Sequence, residues 1–114
     1  MIKGKVVLVP FPFDDLSSTK VRPAVCLTEP IGPHQHIVLA FISSQVPSDL
    51  HETDLVIDFK DPGFVQTGLR VSSTLRLHRL MTIAKNVIQR ELGILSPSVE
   101  KIVDKKLHLL FGLL

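Results

Sequence analysis

The stretch Val6-Val7-Leu8-Val9-Pro10-Phe11-Pro12-Phe13-Asp14-Asp15-Leu16-Ser17-Ser18-Thr19-Lys20-Val21-Arg22-Pro23-Ala24-Val25 decides the fold. Its β-branched start predicts a strand over Val6–Val9, and the prolines at 10 and 12, which lack backbone donors, predict its end. Asp14 to Lys20 reads as a long exposed loop, and Pro23 to Leu27 as the next strand. Outward from this core the pattern repeats. Apolar runs over His36–Ile42, Asp54–Phe59, Leu69–Leu75 and Leu80–Ala84 are separated by Gly, Pro, Ser and Asp, with Asp61-Pro62-Gly63 as a turn. Many short strands in succession predict a mainly β, α+β domain of the small barrel or sandwich kind.

The period then changes. Ser96-Pro97 is a helix start, with Ser as N-cap and Pro in the first turn, where its missing N–H costs nothing. Val99, Val103, Leu107, Leu110 and Leu114 form one apolar stripe, widened by Ile102 and Leu109. Such a helix should close the barrel or pack at a subunit interface.

Composition bounds the function. With 114 residues, 45% of them hydrophobic, the chain is expected to form one domain over residues 1–114 and to gain stability from a homodimer. Its 13 Lys and Arg against 11 Asp and Glu leave a formal charge of +2, and it has 6 Phe but no Trp or Tyr. That balance excludes a strand-coating nucleic-acid binder built on bulk charge and aromatic stacking. The lone Cys26 allows no internal disulfide, and no run approaches the ~20 apolar residues of a membrane span. A cytoplasmic protein with no membrane contact is expected. His34 and His36 have too few neighbours for zinc, Ser17-Ser18 and Ser43-Ser44 lack a nucleophile elbow, and Asp14-Asp15 reads as loop solvation, so no metal or other cofactor is expected.

Arg22, immediately before Pro23, has its backbone restricted by the proline, and its planar fork suits a phosphate. The bland alternative is a solvated strand-end arginine. Arg76 and His78 stand two apart on a predicted strand, where they share a face. His78 has the right reference pKa for a neutral-pH base, and its bland reading is a surface histidine before Leu80.

Taken in order, Val6–Val9, Arg22-Pro23-Ala24-Val25, Ser43-Ser44-Gln45, Ser72-Ser73-Thr74-Leu75-Arg76, Leu80-Met81-Thr82-Ile83 and Leu92-Gly93-Ile94-Leu95-Ser96-Pro97 resemble the MazF/PemK toxins of bacterial type II toxin-antitoxin systems. The Pro10-Phe11-Pro12-Phe13 and Asp15-Leu16-Ser17 pattern is like the PemK-like branch. The resemblance implies an SH3-like small β-barrel with a C-terminal helix, the MazF/CcdB/Kid fold. It also implies a metal-independent, sequence-selective endoribonuclease that cuts single-stranded RNA and mRNA as a homodimer, with a cognate antitoxin as partner. Operator DNA would be met only through the antitoxin complex.

By position, the resemblance makes Arg22 and Ser43 catalytic, adds Arg76 as the arginine of a further pair, and puts His78 where Kid-type members carry an aspartate. Gln45 matches a supporting polar position. Lys20, Ser44, Gln45, Arg70 and Arg79 are expected to bind RNA around the same groove. Two departures stand out: Gly4-Lys5 where relatives have Gly followed by an acid, and no clear counterpart of the carboxylate base. The alternative within the same fold is a noncatalytic antitoxin-binding module or a CcdB-like gyrase-binding protein.

Overall fold

The computed structural model describes residues 1–12 and 19–113. Along the chain run β1 (Lys5–Pro12), β2 (Thr19–Cys26), β3 (His36–Ser43), β4 (Asp54–Ile57), α1 (Phe64–Thr67), β5 (Ser73–Ala84), β6 (Arg90–Ile94) and α2 (Pro97–Leu110). The six strands form one sheet in the order β4-β5-β3-β2-β1-β6, every neighbour antiparallel. The expected small barrel is thus a curled half-barrel, with β4 and β6 as its edges.

Both faces of this sheet are covered. Val6, Val25, Ala40, Ile42, Leu75 and Leu77 pack on one face with Phe64 of α1, Val103 of α2 and Leu95, which follows β6, while Val7, Val9, Ala24, Cys26, Leu39, Phe41 and Ile83 fill the other. Double burial explains why Val6-Val7-Leu8-Val9 is a continuous apolar run and not an alternating one. The helix starts as its sequence predicts: the Ser96 hydroxyl accepts a hydrogen bond from Val99 N–H at 3.3 Å, and Pro97 occupies the first turn. Its apolar stripe is only partly buried, since Ile102 and Leu109 face solvent. Leu114, at the end of the stripe, and the predicted Asp14–Lys20 loop up to residue 18 lie outside the described residues, while Thr19 and Lys20, expected in that loop, already belong to β2, which pairs with β1 ahead of the expected start at Pro23.

Other elements differ from expectation as well. Strand β1 runs on through Pro10 and Pro12, where it pairs with Val21 and Thr19 of β2. Its pairing with β6 covers only Lys5 to Leu8, so beyond that point β1 is an edge and the prolines cost no ladder bond. The expected strands over Leu69–Leu75 and Leu80–Ala84 are one strand of 12 residues, β5. No Gly or Pro interrupts it, and the discontinuity appears as a bulge: Phe41 pairs with Arg76 and Ala40 with Leu80, which leaves Leu77, His78 and Arg79 without partners on β3. Finally, α1 and β6 carry too weak a pattern to predict. They form as a pair, the backbone of Gln66 and Thr67 lying against Gly93 and that of Leu92 against Gly68, where a side chain has no room.

Candidate functional site

The sheet register assembles most of the expected residues on one face. Arg22 stands beside Val9 of β1, and continuing the β2–β3 register from Ala24 and Phe41 brings it opposite Ser43. Both line one recess of about 180 Å³ with Pro23, Phe41, Ile42, Ser44 and Gln45. The Ser43-Ser44-Gln45 turn is pinned from two sides. Gln45 N–H donates to the Ser43 hydroxyl oxygen at 3.2 Å, and the buried Thr74 hydroxyl donates to the Gln45 carbonyl at 2.7 Å. The Ser43 oxygen, accepting from backbone, keeps its own O–H for a ligand. Lys20, exposed, sits two residues before Arg22 on the same side of β2, opposite Phe11.

Phe41 joins this recess to a second group. Its ring contacts Phe11 at 5.1 Å, and the Arg79 guanidinium lies 4.5 Å from its centroid, a cation–π contact that holds an exposed arginine over the sheet. Across the ladder Phe41 pairs with Arg76, which in turn pairs with Asp54 of β4. Arg76 Nε is 2.9 Å from Asp54 Oδ1, close enough for an ion pair but misaligned for a hydrogen bond. His78 Nδ1 is 3.9 Å from the same oxygen, and the His51 ring stands edge-on to the His78 ring at 5.2 Å. Burial, followed by the positive charge of Arg76, holds the His78 pKa below the ordinary histidine value; Asp54 opposes the shift, while His51 and Arg79 add to it. The imidazole is therefore mainly neutral near pH 7 and available as a proton acceptor.

One expected residue falls elsewhere. Arg70 lines a recess of about 310 Å³ with Arg90, Leu8, Leu69 and Leu92, on the other side of the Pro23 and Ser44 ridge. Asp54 and His51 escaped the sequence reading, because nothing local distinguishes them from loop and strand polar residues. The one available signal was an aspartate at the head of a predicted strand with a histidine three residues earlier. Lys5, the departure from the family pattern, forms an exposed ion pair with Glu91 at 3.0 Å. Another recess, of about 370 Å³ between β4, α1 and α2, is lined mainly by apolar side chains and contains no cation to meet a phosphate. Among the described residues no three His, Cys, Asp or Glu side chains converge as a metal site, and no helix is long and apolar enough to cross a membrane.

A curled six-stranded sheet with a C-terminal helix, bearing an arginine and serine recess beside an Asp-Arg-His cluster, defines the class as a small mainly β domain. Its fold is that of Mycobacterium tuberculosis toxin MazF-mt6, with a TM-score of 0.71 and 23% identity over 96% of this chain and 97% of that one. An endoribonuclease in complex with its cognate antitoxin, from a mycobacterial species, shares the fold at a TM-score of 0.70 and 13% identity, covering 100% of this chain and 97% of that chain. No curated protein matches the sequence. The model of the PemK-like, MazF-like toxins of type II toxin-antitoxin systems matches residues 2–111, and the chain belongs to that family.

Proposed function

We propose that this toxin is a sequence-selective endoribonuclease that cleaves single-stranded RNA without a metal ion, acts as a homodimer and is held in check by a cognate antitoxin. The observation that carries the reading is the convergence of Arg22 and Ser43 on one recess, joined through Phe41 to Arg76 and His78. Family membership and the antitoxin-bound endoribonuclease of the same fold support it.

The chemistry follows from the residue types. Attack of a ribose 2′-hydroxyl on the adjacent phosphorus needs a base at that hydroxyl and fixed positive charge at the phosphoryl oxygens. Arg22 supplies forked donors whose charge is permanent, and the Ser43 O–H adds a third donor. Neutral His78 accepts the 2′-hydroxyl proton. As the bond from phosphorus to the 5′-oxygen breaks, Arg76 stabilises the charge on the leaving oxygen, which takes its proton from water, since a guanidinium is too weak an acid to give one readily. The products are a 2′,3′-cyclic phosphate and a 5′-hydroxyl.

The test is cleavage of a long unstructured RNA in chelator by the purified chain and its Arg22→Ala variant, with end mapping. Chelator-resistant cleavage giving those ends, reduced about 100-fold or more in the variant, is expected. Cleavage that stops in chelator, or equal cleavage by both proteins, refutes the reading.

A further inference from the structure

Strand β4 opens on a carboxylate whose surroundings are those of a functional group. The Asp54 side chain is 0% exposed, and a buried carboxylate persists only where its oxygens are paired. Oδ2 accepts a hydrogen bond from His51 N–H at 2.8 Å, and Asp54 N–H donates to the His51 carbonyl at 3.0 Å, so this oxygen serves the turn. Oδ1 faces β5 instead. It meets Arg76 Nε at 2.9 Å and His78 Nδ1 at 3.9 Å, yet it accepts no well-aligned hydrogen bond. The bulge in β5 frees His78 from pairing with β3, so its ring is oriented by side chains: Asp54 toward Nδ1, and His51 edge-on at 5.2 Å. With Nδ1 turned to the carboxylate, Nε2 is turned away from it, on a side chain that is 38% exposed.

We propose that Asp54 is a positioning residue for RNA cleavage, setting the Nδ1–H tautomer of His78 so that Nε2 takes the 2′-hydroxyl proton, with His51 bracing the ring. The proposal rests on the endoribonuclease reading above and adds to it the residue that makes His78 a base. When the 2′-oxygen bonds to phosphorus, its proton passes to Nε2, and the imidazolium donates Nδ1–H to Asp54 Oδ1 without transferring it. The distance of 3.9 Å must shorten by about 1 Å for that bond, a tightening common between free and substrate-bound sites. Four groups face His78: Arg76, His51 and Arg79, which disfavour its protonated form, and Asp54, which alone favours it. Asp54 thereby offsets its cationic neighbours and keeps a proton acceptor of useful strength at the groove.

The experiment follows the His78 ring protons by NMR titration of the full chain without RNA, beside the pH dependence of cleavage, for the unaltered protein, Asp54→Asn and His78→Gln. In Asp54→Asn the His78 midpoint moves to lower pH, kcat falls about 10- to 100-fold with KM little changed, and the acid limb of the rate profile moves down with the midpoint. In His78→Gln, which leaves the Asp54 and Arg76 pair intact, the acid limb disappears. Should Asp54→Asn fail to fold, His78→Gln still decides: an acid limb that survives in it overturns the proposal. A folded Asp54→Asn with an unmoved His78 titration and rate profile also overturns it, while Arg22-dependent cleavage leaves the endoribonuclease reading standing. Absence of cleavage by the unaltered chain overturns both.

Discussion

Replacing glycines one at a time tests the contact that builds the β6 edge of the sheet. Gly68 ends α1 at φ +74°, and a Cβ there would meet the Leu92 carbonyl, with the carbonyl carbon only 2.6 Å away. Gly93 → Ala makes the complementary clash without the backbone cost, since its Cβ would lie 2.6 Å from Thr67 C and 2.7 Å from Thr67 O. Gly32, at φ +72° with nothing within 4 Å, isolates the backbone cost alone. A left-handed alanine costs about 1 kcal/mol, and forcing backbone apart at a tight contact costs about 2 kcal/mol. Gly32→Ala should therefore lose about 1 kcal/mol, Gly93→Ala about 2 and Gly68→Ala about 3. For 114 residues the usual unfolding entropy converts each kcal/mol into about 4 °C of Tm. Calorimetry on the three variants should thus give drops of about 4, 8 and 12 °C. A Gly68→Ala protein no less stable than Gly32→Ala would refute the close approach of β6 to α1, and with it the shape of the recess holding Arg70 and Arg90.

Two further predictions concern the packing of β2 and the contact that holds Arg79. The Cys26 thiol is buried and its pKa is pushed up to about 11, mainly by desolvation, so at pH 8 its thiolate fraction falls about a hundredfold below that of an ordinary cysteine with a pKa of 9.0. Alkylation at pH 8 should be slower than in denaturant by at least that factor; rates within about tenfold of each other would contradict the packing of β2. Arg79→Ala and Phe41→Leu should be non-additive by about 0.5–1 kcal/mol in urea unfolding, because each removes one half of the cation–π contact. Strict additivity would place Arg79 away from the ring.

Short-range patterns carried much of this molecule. Period-two and continuous apolar runs located β1 to β4, and Ser96-Pro97 with its following stripe located α2, because capping and periodicity depend only on neighbours within a turn or two. Arg22 was legible as a candidate because it directly precedes Pro23 and the apolar run that follows, whereas Ser43 became one only through the resemblance to the MazF/PemK toxins. The prolines of β1 misled because their cost depends on whether a second strand pairs there, and only the sheet order shows that none does beyond Leu8.

The sequence by itself determined β1 to β4, the C-terminal helix α2 and the residue types whose chemistry suits a phosphate. Tertiary structure decided which of them meet. Asp54 and Arg76 are far apart in the chain, and their pairing is a consequence of the β4–β5 register; a slip of one residue would turn Asp54 to the opposite face. The three-residue bulge that presents His78 and Arg79 likewise exists only relative to β3, and Arg70 falls into a separate recess because Gly68 ends α1 and β5 starts only at Ser73. Local preference sets each strand, but register is set by how whole faces bury one another, and that is where the carboxylate, the histidines and the arginines acquire their positions.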